Sequence, residues 1–364
     1  MSSGKQPGGL FDGVLARGRV RDQVSDTAWL QAMLDFEAGL ARAQARAGLL
    51  STSDANLIAS ACRAEAFDVA ALGRDAADSG TPVVALVRAL TAAVGGSASV
   101  QVHRGATSQD VLDTAAMLVA ARALDPLLDD LLSAADAAGG LASRHRSTPM
   151  AGRTLLQQAL PITFGLQAAG WLSGLDDSIE RLARVRRERL AVQLGGAAGT
   201  LASMGDAGPA VVDYLAEDLG LTAPKLPWHT ARNRIAELAG ALGEAAGSIA
   251  KPARDLALLA QTEVAEVREG GDDRRGGSST LPHKRNPIAA VSAAACAARA
   301  PGLVASLLAS MAHEHQRAAG AWHAEWLPLI DLLGAAGAAA AWLRDALEHL
   351  EVDAVRMRAN LDAT

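Results

Sequence analysis

The stretch Gly276-Gly277-Ser278-Ser279-Thr280-Leu281-Pro282-His283-Lys284-Arg285-Asn286-Pro287 interrupts an otherwise alanine- and leucine-rich chain about three-quarters of the way along. Its glycines leave the backbone loose and each proline removes a donor, so neither a regular helix nor a central strand can run through it. A loop is predicted here. It carries a hydroxyl pair, a lysine and an asparagine at fixed offsets between two segments that read as helices, and loops held on rigid scaffolds often carry function. The same residues also fit a plain flexible connector.

Outward from the loop, the composition is helical: alanine, leucine and arginine dominate, while aromatic and β-branched residues are scarce. From about 19 to 48 the apolar positions Trp29, Met33, Phe36 and Leu40 recur at three- and four-residue steps, with Asp35, Glu37 and Arg42 between them. Residues 51–106 hold shorter helical pieces broken by Gly80-Thr81-Pro82 and Gly95-Gly96. At Thr107 the character changes. Thr107 and Asp110 stand at capping-box spacing before a long apolar pattern through Val111, Leu118, Leu128 and Ala135. Similar stretches run over roughly 159–204, 228–268, 288–318 and 322–350, each much longer than an average helix of about twelve residues. The expected fold is all-α. A helical N-terminal domain covers 1–106 and a central long-helix bundle 107–350, with 351–364 the start of a further C-terminal domain that the chain does not complete. Helices this long need long partners, so an elongated bundle completed by other copies of the chain is predicted.

With 364 residues, half of them hydrophobic, the chain can bury a large core. A net charge of −6 and a pI near 5.8 argue against a nucleic-acid partner. Cys62 and Cys296 are the only cysteines, too few and too distant for a disulfide framework or thiolate metal site, so a reducing cytoplasm is expected. Residues 1–10 lack an apolar core and read as a frayed end, not a secretion signal. No membrane span is expected: glutamines and Pro161 interrupt 154–175, and the apolar run 332–343 is too short.

Three polar stretches break the apolar pattern: His103 to Asp110, Gly152 to Gln157, and the loop. Each is placed at or near a helix end, where free N–H groups suit carboxylates. Thr107 to Asp110 can equally be a cap alone, and Arg153 with Gln157 a surface pair. His145, His229 and His349 have no motif partner and read as surface or cap residues, and His283 as a residue that positions the loop. A metal site on His313, His315, His323 and Glu325 is a further reading, weakened because residues two apart on a helix do not share a face.

The loop resembles the GSSxMPxKxNP motif of the fumarase/aspartase superfamily, with Leu281 where methionine is usual. His103 through Thr114 and Met150 through Gly165 are similar to two further superfamily motifs, in the family's order. The resemblance implies a homotetramer whose central domains form a twenty-helix bundle, with active sites shared between subunits and neither cofactor nor metal. It makes Ser278 the proton-exchanging residue and Lys284 its charge partner. His103, Thr107, Ser108, Gln157, Ser279, Asn286 and Arg317 would bind the substrate's carboxylates.

Departures from the motifs select a branch. The histidine and glutamate that act as an acid arm in adenylosuccinate lyases and fumarases fall on Leu155 and Val291, and a phosphate-binding serine and arginine fall on Gly320 and Trp326. With Gln109 and Ala319 to Trp326, the pattern is similar to the carboxymuconate cycloisomerase branch. That branch implies an intramolecular lyase interconverting 3-carboxy-cis,cis-muconate, a small tricarboxylate, and 4-carboxymuconolactone in protocatechuate breakdown. A lactone expels a carboxylate, whose conjugate acid has a pKa of about 4, so a general acid gains little at neutral pH. An adenylosuccinate lyase-like C–N lyase and a catalytically silent relative are the alternatives. The incomplete C-terminal domain leads to the expectation of a more open cleft.

Overall fold

The computed structural model describes residues 9–271, 275–281 and 284–363. Pro282 and His283 of the loop and residues 1–8 of the expected frayed end lie outside them. Six helices come first: α1 (Asp12–Leu15), α2 (Val20–Gln23), α3 (Asp26–Arg46), α4 (Thr52–Ala61), α5 (Val69–Ser79) and α6 (Pro82–Val94). Ser25 starts α3 by accepting the Ala28 N–H at 3.3 Å. Met33, Phe36 and Leu40 are buried on it as the spacing predicts. Glu37, read from the sequence as lying between the apolar positions, is buried with them. It stands four after Met33 and three before Leu40, which puts it on the same stripe.

α7 (Ser108–Arg144) is the predicted long helix, 37 residues and about 55 Å at 1.5 Å per residue. Asp110 Oδ2 accepts the Thr107 N–H at 3.0 Å, the carboxylate arm of the expected capping box. The chain then forms an antiparallel hairpin, β1 (Pro149–Thr154) and β2 (Gln157–Thr163), before α8 (Phe164–Glu188). After α9 (Gly208–Leu219) come α10 (Asn233–Leu259), α11 (Ile288–Ala297), α12 (Ala300–Ala309), α13 (Ala321–Ala324), α14 (Trp326–Glu348) and α15 (Ala354–Asp362). A second ribbon pairs β3 (Val267–Glu269) with β4 (Leu350–Val352).

α7, α8, α10 and α14 lie side by side, with α11 and α12 following one another along α10 and α14. Small side chains permit this closeness. Ala335, Ala336, Ala338, Ala339 and Ala340 of α14 are buried, and a Cβ on Gly337 would lie 2.4 Å from Val20 Cβ. The fold is the expected all-α bundle, with two short ribbons added.

Several expected helices are shorter than their apolar patterns. Of 159–204, only 164–188 is α-helical: Pro161 stays in β2, and the Thr163 hydroxyl accepts the Leu166 N–H at 3.1 Å to begin α8. The pattern over 288–318 breaks between α11 and α12, where Pro301 fits a helix start and not an interior. Alanine- and glycine-rich loops buried against helices stay apolar, so the pattern overran their ends. Two runs, Ile288–Ala309 and Ala321–Glu348, are long and apolar enough to cross a bilayer by length and composition alone, the first being broken between α11 and α12. Most of the second is buried against its neighbours, as a core helix is.

One end of the bundle buries a charged cluster. Arg232 donates Nε at 3.0 Å and Nη2 at 2.6 Å to Glu325, and Nη1 at 2.8 Å and Nη2 at 3.0 Å to Asp113. The Trp322 indole N–H adds a donor to Asp113 at 3.1 Å. Burial pushes the Glu325 carboxyl upward against the pull of Arg232. The cluster joins α7, α10 and the start of α14, which run on separate parts of the chain. Substituting Arg232→Met leaves two carboxylates buried without their cation and is expected to cost roughly 3–5 kcal/mol, read as a lower midpoint in urea unfolding.

Candidate functional site

The Ser278 loop is held at its base by two carboxylates and a glycine. Glu269, ending β3, accepts the Ala289 and Ala290 N–H groups at 3.0 and 2.8 Å, fixing the start of α11. Arg275 reaches Glu269 at 3.3 Å and Asp345 of α14 at 3.0 Å. Gly276 O accepts both the backbone N–H of Asn286, at 2.9 Å, and its side-chain amide, at 3.0 Å, so the loop closes into a hoop. Gly276 sits at φ +66°, and a Cβ there would lie 2.2 Å from Asn286 O.

Within the hoop, the Thr280 and Leu281 N–H groups donate to Ser278 Oγ at 3.3 and 3.1 Å. Two backbone donors aimed at one hydroxyl oxygen are what a serine alkoxide would need. Ser279 and Lys284 are exposed.

The hairpin rises from the same end. Arg153 donates to Glu266 at 2.9 and 2.7 Å, and Glu266 lies three residues before Glu269. Arg153 is therefore a buttress to the β3 segment, and the sequence reading of a surface pair with Gln157 is corrected. Gln157 is exposed beside a two-residue turn, Leu155-Leu156, with φ +53° and +64°. Such a turn favours asparagine and glycine, and two leucines there are strained. Leu155 is 97% exposed and Leu156 71%, with Leu160 and Leu166 also open.

The remaining predicted residues lie elsewhere. Thr107 caps α7 and Ser108 begins it, both half-buried. Asp110 accepts from Gly195 N at 3.0 Å, Gly196 N at 2.9 Å and His229 Nε2 at 2.6 Å. Arg317 donates Nη2 to Gly196 O at 2.5 Å and lies in the field of Asp110 and Asp113. Gly196 packs so closely on Gly105 O that a Cβ would approach to 2.9 Å. His103, at φ +60°, meets Glu37 Oε1 through Nδ1 at 2.6 Å. His229 is thus buried, not the surface or cap residue the sequence suggested.

Ser278, Ser279, Lys284 and Asn286 therefore share one end of the chain with Gln157, whereas His103, Thr107, Ser108 and Arg317 share the other. The length of α7 separates them. From the sequence Asp110 reads only as a cap, His229 as a surface or cap residue and Glu37 as a polar residue between apolar positions, while Glu266 and the Gly195-Gly196 turn are not singled out. Beyond the cap spacing of Asp110, the available signal is Glu37 on an apolar stripe. Of the residues weighed as metal ligands, Glu325 is committed to Arg232, and His323 donates to Gly80 O at 3.0 Å. No three metal-ligating side chains gather among the described residues.

A family model described as Lyase matches residues 15–302. The chain is 49% identical to a 3-carboxy-cis,cis-muconate cycloisomerase of Bradyrhizobium diazoefficiens, covering all of this chain and 81% of that protein. It is 46% identical to a nitrosuccinate lyase of Streptomyces davaonensis over 98% of this chain and 77% of that one. The crystal structure of the 3-carboxy-cis,cis-muconate lactonizing enzyme from Pseudomonas putida superposes with a TM-score of 0.93. Its sequence is 45% identical, over 97% of this chain and 80% of that one.

The hoop makes a specific demand on Gly276. Alanine there must leave φ +66° or displace Asn286, so Gly276→Ala is expected to cut turnover by roughly 10²-fold, the scale set by misplacing a reacting group by about 1 Å. Because the loop lies outside the bundle core, the melting temperature should move little, which circular dichroism checks.

Proposed function

The chain belongs to the lyase family of the fumarase/aspartase superfamily, and from that membership we propose that it is an intramolecular lyase interconverting 3-carboxy-cis,cis-muconate and 4-carboxymuconolactone. In lactonisation a carboxylate oxygen of the substrate bonds to one carbon of a double bond. The neighbouring carbon, beside another carboxylate, takes up the electron pair and then a proton. Ser278 delivers that proton and is left as an alkoxide, to be reprotonated from water; in reverse it abstracts the proton and the ring oxygen departs as a carboxylate. The observation that carries this role is the pair of N–H donors on Ser278 Oγ. Lys284, open beside them, supplies the charge that stabilises both alkoxide and enolate-like intermediate.

The apolar residues at the two acid-arm positions accord with this chemistry. Leu155 is 97% and Val291 49% exposed, and neither can protonate a leaving group. A departing carboxylate needs no such proton. What a tricarboxylate needs is cations and donors, which Arg317, His103, Thr107, Ser108, Gln157, Ser279 and Asn286 provide in this reading. Those groups stand at both ends of the bundle, so the site is completed only by further copies of the chain. We place the enzyme in the cytoplasm as a homotetramer, acting without cofactor or metal.

Purified protein mixed with 3-carboxy-cis,cis-muconate should bleach its conjugated-diene absorbance, and Ser278→Ala should lower kcat by roughly 10²–10⁴-fold with little change in KM. Nitrosuccinate and adenylosuccinate run beside it decide the alternatives: turnover of either without the muconate overturns the assignment, and inertness towards all three leaves a silent relative. Shared sites are tested separately. Ser278→Ala and Thr107→Val protomers, each inactive alone, should regain about a quarter of wild-type activity after mixed refolding, because random assembly leaves that share of sites intact.

A further inference from the structure

Glu37 is the buried acid for which the mechanism above has no use. Its side chain is 1% exposed on the apolar stripe of α3, and its one partner among the described residues is His103, at 2.6 Å. Its second oxygen is buried without a hydrogen-bond partner. A carboxylate in that setting is costly unless it is paired with a cation. His103 is itself unusual, held at φ +60° where few side chains other than glycine settle. Its ring turns Nδ1 inward to Glu37, and Nε2 has no partner among the described residues. The segment that follows packs through Gly105 on Gly196, whose carbonyl takes the Arg317 guanidinium. His103 and Arg317 thus flank the start of α7, where Thr107 and Ser108 lie.

We propose that Glu37 is a positioning residue for the reaction, gripping His103 by Nδ1 so that the imidazolium presents its Nε2–H to a substrate carboxylate. The inference rests on the tricarboxylate reading above. Burial alone would favour the neutral ring, but the hydrogen bond and charge of Glu37, aided by Asp110, outweigh it and hold the His103 pKa above its ordinary value. Those two acids, from α3 and α7, are the charges facing the ring. Nearby groups are otherwise engaged: Asp35 binds Arg122 at 2.6 Å, and Arg104 binds Gln101 at 2.9 Å. The Cys62 thiol, just past α4, is pushed up to about 12 and stays neutral. The sign follows: with Glu37 present His103 stays charged as pH rises past the imidazole's usual value of about 6.5, and without it the charge is lost there.

The test is KM and kcat for 3-carboxy-cis,cis-muconate between pH 6 and 8 in the assembled enzyme. The wild-type KM should begin to rise only at a higher pH than that of Glu37→Gln. Glu37→Gln should raise KM roughly tenfold at pH 8, the difference between a charged and a neutral donor. At pH 6 its KM should fall back toward wild type, with kcat within about twofold throughout. In a His103→Gln background the Glu37 change should add nothing. A KM raised equally at both pH values would mean that Glu37 merely packs, and an unchanged KM at pH 8 would give it no role. Either result overturns the inference. So does a wild-type KM that climbs through an inflection near 6.5, a measurement that stands even if the variant does not fold. Should the wild type leave the muconate untouched, the functional reading fails by itself. Benzene-1,3,5-tricarboxylate, fully ionised over this range, is then titrated calorimetrically into both proteins, and pH-independent or absent binding in Glu37→Gln and wild type alike counts against the role.

Discussion

The rigid length of α7 is the constraint from which the rest of this molecule follows. Its 37 residues hold Thr107 and the hairpin about 55 Å apart. α11 and α12 together run for about 33 Å between Ser278 and the Arg317 segment. Groups that the proposed reaction would bring to one small substrate are therefore divided by rods. A second copy running the opposite way brings one chain's Ser278 end against another's Thr107 end, which is the geometry the proposed assembly uses. The hairpin end is dressed for it: Leu155, Leu156, Leu160 and Leu166 lie open to solvent, and contiguous apolar surface of that kind marks an interaction site.

At both ends, backbone geometry is set by buried acids and not by apolar packing alone. Asp110 gathers three backbone N–H groups and His229. Glu269 holds the start of α11, and Glu266 ties the hairpin to β3. Each carboxylate joins segments far apart in sequence with charge-assisted bonds, the strong and directional kind. Alanine-rich helices pack closely but give few distinctive contacts, so these acids supply the registration that small side chains cannot.

How much of this was legible from the chain depends on whether a signal is local. The loop announced itself through glycine, proline and hydroxyl residues at close spacing, and Thr107 and Asp110 through the three-residue step of a cap. The hairpin did not, because Leu155-Leu156 replaces the turn residues that would have marked it. Helix ends were overrun where alanine continued into buried loops. Glu37 and His229 were misread because their partners lie 66 and 119 positions away. A lone glutamate on an apolar stripe says that something must compensate it, but not what.

The lost acid arm and the retained serine loop are best understood as one change. A histidine without the glutamate would lack the partner that keeps it charged, and a glutamate without the histidine would have no proton to relay. Replacing both with Leu155 and Val291 leaves neither half alone. It also fits a reaction whose leaving group is stable as an anion, because nothing at those positions can donate to it. The discrimination then moves from proton supply to charge recognition. In the proposed reaction, a substrate with three carboxylates would be selected by where its negative charges fall relative to Lys284, Arg317 and the N-terminus of α7. Chemistry that needs a protonated amine or hydroxide to depart is disfavoured by the absence of a donor, without any group being added to exclude it.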